Sequence, residues 1–526
     1  MNKSQNMFIK FKKNLQENTF FYLIGFIYIV SKLPSINHNL PPYFFSCDEG
    51  LLSDEVFRMI QLDSPQQQMF KSGPLNVFPI YILYKLFIDI FNIGFEYVDL
   101  IIFSRYVLTI GLNLLSLLML KKLLNLFFSK EESKFINLGL ILFIISPYLF
   151  AQTRLWYPDS YQLAFSLGLI FFTFKTRKEK LGFSNIIFLS IFSSLLFATK
   201  YTGVFITIPT IFVVIEKLFY AFKGYDLSTK ILEFLKYFSV SIFIFVTINL
   251  GILLNFEQFL NDFYFNLNNY GGNFNFTWRL IGGTTYYSTF LFIVPFSLFS
   301  VFYQVTAIIR FLKDKKYFEF FTFFVVPFCF CIYLGGFYML VNRNINFLIP
   351  LLIIPICVGV KESFRFEIKI VRIFNSINII CLSIFLIYSF STTLMDDFEK
   401  DSRIEMQNYL LSEPSSLSSL TIGINEGCTG DSPAVGILNT ENDRFMENGY
   451  DTYLFNSFWN SAINFQKQNI LFVTNHKNTH FDYYLNLDLF NDNFFTQNKI
   501  LEINQNYKIK KIFETNGPKM IYLVKK

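Results

Sequence analysis

The sequence predicts an α-helical polytopic membrane protein with about eleven transmembrane helices and a small C-terminal α/β domain outside the cytoplasm. Three observations carry this. Of the 526 residues, 52% are hydrophobic and only 16% are charged, against about a quarter in a soluble domain; mean hydropathy is +0.39. Apolar runs of spanning length recur along the chain. The Lys and Arg residues between them concentrate in alternate loops.

The runs lie near 18–34, 101–120, 135–153, 159–174, 184–199, 202–217, 235–254, 284–306, 317–338, 345–360 and 372–393. Each is close to the length that crosses a hydrocarbon core about 30 Å thick. The run 76–95 is ambiguous, because it holds Pro79, Lys85 and Asp89. Loop charge decides it, since cations favour cytoplasmic loops. With 76–95 lying along the surface, the N-terminus (Lys10, Lys12, Lys13) and every second loop are basic. Those loops carry Lys121, Lys122, Lys130 and Lys134, then Lys175, Arg177, Lys178 and Lys180, then Lys217, Lys223 and Lys230. Arg310, Lys313, Lys315 and Lys316 follow, then Lys361, Arg365, Lys369 and Arg372. If 76–95 spans, the asymmetry reverses for most of the chain. Residues 1–393 therefore form a transmembrane domain with its N-terminus inside. Its first outer loop covers about 35–100 and contains an interfacial helix.

Residues 394–526 are more polar and form the outer α/β domain. A helix is expected over 396–411, and strands at 420–424, 470–473, 509–513 and 520–524, with a turn at Asn516-Gly517-Pro518. A formal charge of +6 is modest and reflects loop lysines rather than a nucleic-acid surface. Six cysteines without ligand spacing and three dispersed histidines give no metal site. The first apolar segment lacks a small-residue cleavage site and reads as an uncleaved anchor.

This topology gathers polar residues on the outer face. The first loop supplies Asp48, Glu49 and Arg58; helix ends supply Arg105, Arg154, Asp159, Lys200 and Arg343; the loop 255–283 and its continuation supply Trp278, Tyr286 and Tyr287. Adjacent carboxylates beside a bilayer need a reason. Carboxylates facing several cations fit chemistry on a phosphorylated lipid that carries a sugar. Breaking the anomeric bond leaves a phosphate anion that needs electrostatic stabilisation rather than a proton, and Arg and Lys supply it. The acceptor hydroxyl needs a base, and a single displacement inverts the anomeric centre.

Asp48 is accordingly the expected base, with Glu49 and Asp159 as further catalytic-site acids. Arg58, Arg105, Lys200 and Arg343 are the expected phosphate contacts. Trp278, Tyr286 and Tyr287 are substrate-binding candidates. Each has a plainer reading: helix N-cap for the acids, snorkelling for the cations, interfacial belt for the aromatics. Asp54 and Glu55 read as solvated helix positions, and Gly271-Gly272 and Gly282-Gly283 as mobile turns in an outer loop. A divalent ion would fit among Asp48, Glu49 and Asp159, but the cations make a metal unnecessary, and no cofactor is required.

Asp48-Glu49-Gly50-Leu51-Leu52-Ser53-Asp54-Glu55-Val56-Phe57-Arg58 resembles the first-loop Asp-Glu motif of GT-C glycosyltransferases, in the protein O-mannosyltransferase and aminoarabinose-transferase branch. Gly73-Pro74-Leu75 with Phe78-Pro79-Ile80-Tyr81 resembles that family's juxtamembrane helix, and Arg105 the arginine opening its next span. Ser146-Pro147 with Arg154, Pro158 and Asp159 resembles its second acidic site. Thr199-Lys200-Tyr201-Thr202-Gly203 resembles its Thr-Lys-x-x-Gly turn. Arg343-Asn344-Ile345-Asn346-Phe347-Leu348-Ile349-Pro350 resembles its Arg-x-x-x-Tyr-Leu-x-Pro segment, with Phe347 in place of Tyr. The matches keep their order over roughly 20–360. The resemblance implies a polyprenyl-phosphate-linked sugar donor, an outward-facing site and Asp48 as base.

The expected partners are that donor, a lipid, glycan or protein acceptor, and membrane lipids, with no nucleic acid. The expected location is a bacterial plasma membrane, with the site and the C-terminal domain extracytoplasmic. The alternative is a transporter or a lipid or glycan flippase without transferase activity, whose signals would be charges deep within spans and paired broken helices. A membrane scaffold displaying the C-terminal domain is a second alternative.

Overall fold

The computed structural model describes residues 3–36, 47–64, 67, 73–91, 97–153, 156, 158–179, 182–221, 227–270, 276–335 and 342–396, and four strands between 423 and 525. These residues fall into two units. The first holds Met1–Ile36, Gln66–Pro79 and Ser104–Thr393; the second holds Asn37–Pro65, Ile80–Phe103 and Leu394–Lys526.

In chain order the helices are α1 (Lys3–Ile36), α2 (Cys47–Gln61), α3 (Phe78–Phe91), α4 (Tyr97–Arg105), α5 (Asn113–Phe127), α6 (Ser133–Ile145) and α7 (Pro147–Gln152). Next come α8 (Pro158–Lys178), α9 (Phe183–Thr199), α10 (Thr207–Ala221), α11 (Leu227–Ile248), α12 (Leu250–Leu254), α13 (Phe256–Tyr270) and α14 (Phe276–Tyr286). The last are α15 (Leu298–Lys313), α16 (Tyr317–Phe320), α17 (Val326–Leu334), α18 (Ile349–Ser363) and α19 (Lys369–Asp396). Six stretches among the described residues are long and apolar enough to cross a membrane: Pro74–Phe91, Asp99–Phe127, Tyr201–Tyr220, Tyr317–Leu334, Asn344–Ser363 and Lys369–Met395.

The first unit is built around α8, which packs against α5, α9 and α10. Its sequence explains its place. Pro158 and Asp159 open it, and Lys175, Arg177 and Lys178 close it, so charge opposes the helix dipole at both ends. Between them nearly every side chain is buried, including Ser160, Gln162, Ser166, Thr173 and Thr176. From Asp159 to Lys178 the rise is about 28 Å at ~1.5 Å per residue, close to a hydrocarbon thickness. Ion pairs cluster around the basic end: Arg177 with Glu319 at 3.3 Å, Arg310 with Asp314 at 2.7 Å, and Lys361 with Glu132.

Two expectations are corrected in this unit. The run 284–306 is not one helix. α14 passes into a π-helical turn at Tyr287–Leu291, the chain turns through 292–296, and α15 starts afresh after Ser297. Ser297 has φ 66° and its hydroxyl accepts the Phe299 N–H at 3.3 Å; Pro295 removes a helical donor just before it. Gly282 and Gly283 are not loop turns but lie within α14, against α17. A Cβ on Gly283 would stand 2.3 Å from Ile332 Cα, and one on Gly335 2.1 Å from Gly283 N. Small residues let two apolar helices bring their backbones together. Gly271-Gly272 lies outside the described residues.

In the second unit, α2 carries the acidic motif. Glu55 is buried, not solvated as its sequence suggests, and accepts two hydrogen bonds from Arg58, at 2.8 and 3.1 Å. Lys85 of α3 pairs with Asp63, and Tyr84, Phe87 and Phe103 join α3 to the last turn of α4. The strands are β1 (Gly423–Ile424), β2 (Leu471–Asn475), β3 (Tyr507–Phe513) and β4 (Lys519–Lys525), in the order β1-β2-β4-β3. β1 and β2 are parallel and the other pairs antiparallel, with a register shift between Ile509 and Lys511. The helix expected at 396–411 and the turn at Asn516-Gly517-Pro518 lie outside the described residues apart from Asp396.

Candidate functional site

Three separate stretches of the first unit deliver one polar cluster. Asp159 stands in the first turn of α8, Lys200 directly follows α9, and Asn344 lies in the 3-10 turn Asn342–Leu348 that leads into α18. The Lys200 Nζ donates to Asp159 Oδ1 at 3.1 Å and to Asn344 Oδ1 at 2.7 Å. The Asp159 side chain is 3% exposed and that of Lys200 24%. A buried carboxylate persists only when a cation and hydrogen bonds offset its lost hydration. Lys200 has three donors, and the two oxygens take two of them.

The backbone explains why Lys200 turns inward. It leaves the helix with φ −158° and ψ 124°. The Gly203 N–H then donates to its carbonyl at 2.8 Å, closing the Thr199–Gly203 turn. Gln162, one turn beyond Asp159 on α8, reaches the Lys200 carbonyl and the Thr202 hydroxyl, each at 3.5 Å. Ser166 donates to the Phe347 carbonyl at 3.3 Å, holding the 3-10 turn against α8.

Arg105 and Tyr287 have other partners within the same unit. Arg105 is fully buried, and its Nη1 donates to the Ile36 carbonyl at 2.8 Å. It therefore caps the last residue of α1, where helix carbonyls lack partners. Arg58 faces Glu55 on its own helix. Asp48 and Glu49 occupy the first turn of α2, and Arg343 the 3-10 turn beside Asn344; their side chains, that of Trp278, and Arg154 lie outside the described residues. Tyr286 is 1% exposed, and the Tyr287 hydroxyl donates to the Phe324 carbonyl at 3.4 Å. Tyr287 also meets Phe292 tilted and Phe328 edge to face, so both tyrosines take part in helix packing.

Sequence reasoning missed Lys32. It lies in α1, fully buried, with Nζ on the Thr153 hydroxyl at 3.1 Å and 3.8 Å above the Phe150 ring. A lysine inside an apolar run was the available signal. It also missed Asn76, which is fully buried and binds the carbonyls of Gly73 and Thr199.

No family profile and no curated sequence matches the chain. Solved structures do. ArnT from Cupriavidus metallidurans bound to undecaprenyl phosphate aligns with a TM-score of 0.51 at 11% identity, covering 96% of this chain and 98% of that one. ArnT from the same organism in the apo state aligns with a TM-score of 0.50 at 11% identity, with the same coverage. The archaeal oligosaccharyltransferase AglB from Archaeoglobus fulgidus, in complex with an inhibitory peptide and a dolichol-phosphate, gives 0.46 at 12% identity, covering 86% and 69%. The ArnT likeness extends over nearly the whole of both chains and is one of fold: this chain has the helical membrane fold of that protein.

Proposed function

We propose that this protein is an integral membrane glycosyltransferase that moves a sugar from a polyprenyl-phosphate-linked donor to an acceptor outside the cytoplasm. The observation that carries the reading is the Asp159–Lys200–Asn344 cluster, assembled from three separate stretches at the end of α8 opposite its basic turn. An ammonium held by a buried carboxylate, on a side chain that keeps a quarter of its surface, suits an anionic leaving group. The fold is that of a protein crystallised with undecaprenyl phosphate, and the ordered motifs of residues 20–360 agree with it.

In this mechanism Asp48 accepts the acceptor's hydroxyl proton while its oxygen bonds to the anomeric carbon. The bond from that carbon to the phosphate oxygen breaks, and both its electrons leave with the polyprenyl phosphate. Lys200 and Arg343 stabilise the leaving phosphate; Asp159 orients Lys200; Glu49 supports the first-loop site. About eleven spans, an interfacial α3 and an outer α/β domain complete the arrangement. The site and that domain face away from the cytoplasm, as in a bacterial plasma-membrane enzyme.

The test is transfer of a labelled sugar from a polyprenyl-phosphate donor by the purified protein, with a panel of donor sugars. Asp48→Asn should lower transfer by roughly 10²-fold or more while membrane insertion stays intact. Undiminished transfer by that variant removes Asp48 from the base role. Donor translocation without transfer would favour a flippase instead.

A further inference from the structure

Asn76 lies outside every catalytic and phosphate-binding position proposed above, yet it touches the chain on both sides of the ion pair. It sits in the short 3-10 turn Pro74–Asn76 and is fully buried. Its Nδ2 donates to the Gly73 carbonyl at 2.9 Å and to the Thr199 carbonyl at 2.7 Å. The same Thr199 carbonyl accepts the Gly73 N–H at 3.0 Å. Thr199 is the last residue of α9, where carbonyls lack helical partners, and the next residue is Lys200. Approach this close needs glycine, because a Cβ on Gly73 would stand 1.9 Å from the Ala198 oxygen. From the other side, the carbonyl of Asn76 accepts the indole N–H of Trp156 at 3.2 Å. Trp156 is itself fully buried and lies three residues before Asp159.

We infer that Asn76 is a positioning residue that fixes Lys200 relative to Asp159, and so sets the grip of the Lys200 ammonium on an anionic polyprenyl phosphate. The inference rests on the proposed transferase reading for its ligand, but not for its geometry. Both groups facing the Asn76 amide are carbonyls, so the NH2 must point at them and no acceptor can replace it. Without the amide, the Thr199 carbonyl loses one of its two donors and keeps the Gly73 N–H, while the Lys200 N–H stays on the Leu196 carbonyl at 3.1 Å. Without the Asn76–Trp156 bond, Trp156, three residues before Asp159, loses its tie to the turn that holds the end of α9.

The experiment has two arms. In the first, competitive amine acetylation read by mass spectrometry compares Lys200 with Lys217, which lies near the opposite end of the helices and bonds the Glu179 carbonyl. Asn76→Ala should raise Lys200 acetylation about threefold or more while Lys217 is unchanged, an effect in the range of contact-level coupling. In the second arm, binding of polyprenyl phosphate alone is measured in detergent micelles. Asn76→Ala should weaken it about tenfold, and less than about twofold in a Lys200→Gln background, because the effect passes through Lys200. Unchanged Lys200 reactivity, or an equal loss in both backgrounds, overturns the positioning role. If Asn76→Ala does not fold, Trp156→Phe, which keeps the ring and deletes the N–H, is read in the same way. Absence of polyprenyl-phosphate binding by the unmodified protein overturns the donor reading instead, and leaves the acetylation arm to decide the positioning role alone.

Discussion

At the scale of single residues, the two members of the ion pair are unequal. Asp159 is almost fully buried, and the Lys200 side chain keeps a quarter of its surface. Lys200→Gln therefore strands a buried carboxylate, which costs about 3–5 kcal/mol at such sites. Asp159→Asn leaves an ammonium on a partly exposed side chain that still donates to Asn344, for about 1–2 kcal/mol. Equilibrium unfolding in detergent should rank the variants in that order; the reverse order would mean that the lysine, not the acid, bears the cost of burial. Both residues were legible in the sequence, because a charge at the end of an apolar run has few explanations. Their partner was only half legible: Asn342, Asn344 and Asn346 mark a polar patch, but nothing in the spacing says which one meets Lys200. Lys32 and Asn76 escaped notice because backbone carbonyls and a hydroxyl are among their partners, and such partners leave no mark in a sequence pattern.

At the scale of elements, the structure is held by close contacts between helices and by ties at their ends. Gly283 is a close backbone approach between α14 and α17. Gly283→Val would force the two helices apart, with an overpacking cost of about 1–3 kcal/mol or more, seen as a lower unfolding midpoint; Thr284→Val, on an exposed neighbour, should shift it little. The sequence pointed the wrong way here. A Gly-Gly pair is loop punctuation in water, whereas between apolar helices it is a packing surface. The break at 292–297 was hidden in the same manner, since the turn is itself apolar and only Pro295 and Ser297 mark it. At the basic end, Glu132 belongs to a capping box with Ser129 and pairs with Lys361. The Lys361 ammonium draws the Glu132 carboxyl below its ordinary range, aided by the Ser129 N–H. A depressed acid stabilises the fold above its unfolded pKa of about 4.3 and loses that contribution as pH falls through the folded value. Glu132→Gln should therefore flatten the acid limb of the stability curve below about pH 4.3 and leave its shape near neutrality unchanged.

At the scale of the whole molecule, the function proposed above depends on sidedness. Loop charge predicted that the polar helix ends share one face, and within the first unit the ends of α8 and α9 and the turn before α18 do meet at one cluster. The far end of α8 lies about 28 Å away along its axis, among Arg177, Glu319, Lys361 and Glu132. Charge counting could reach this far because cations sort by face regardless of packing; it could not number the helix breaks within a run. Single cysteines in a cysteine-free background decide the geography. Glu131→Cys marks the basic end, Thr202→Cys the end that holds Lys200, and Asp54→Cys the acidic helix α2. An impermeant thiol reagent added to intact cells should label positions 202 and 54 and spare 131 until the membrane is opened. Labelling of 202 and 131 from the same side would undo the membrane orientation of α8. Labelling of 54 and 202 from opposite sides would leave that orientation standing but separate Asp48 from Lys200 by the bilayer, and no single displacement could then use both.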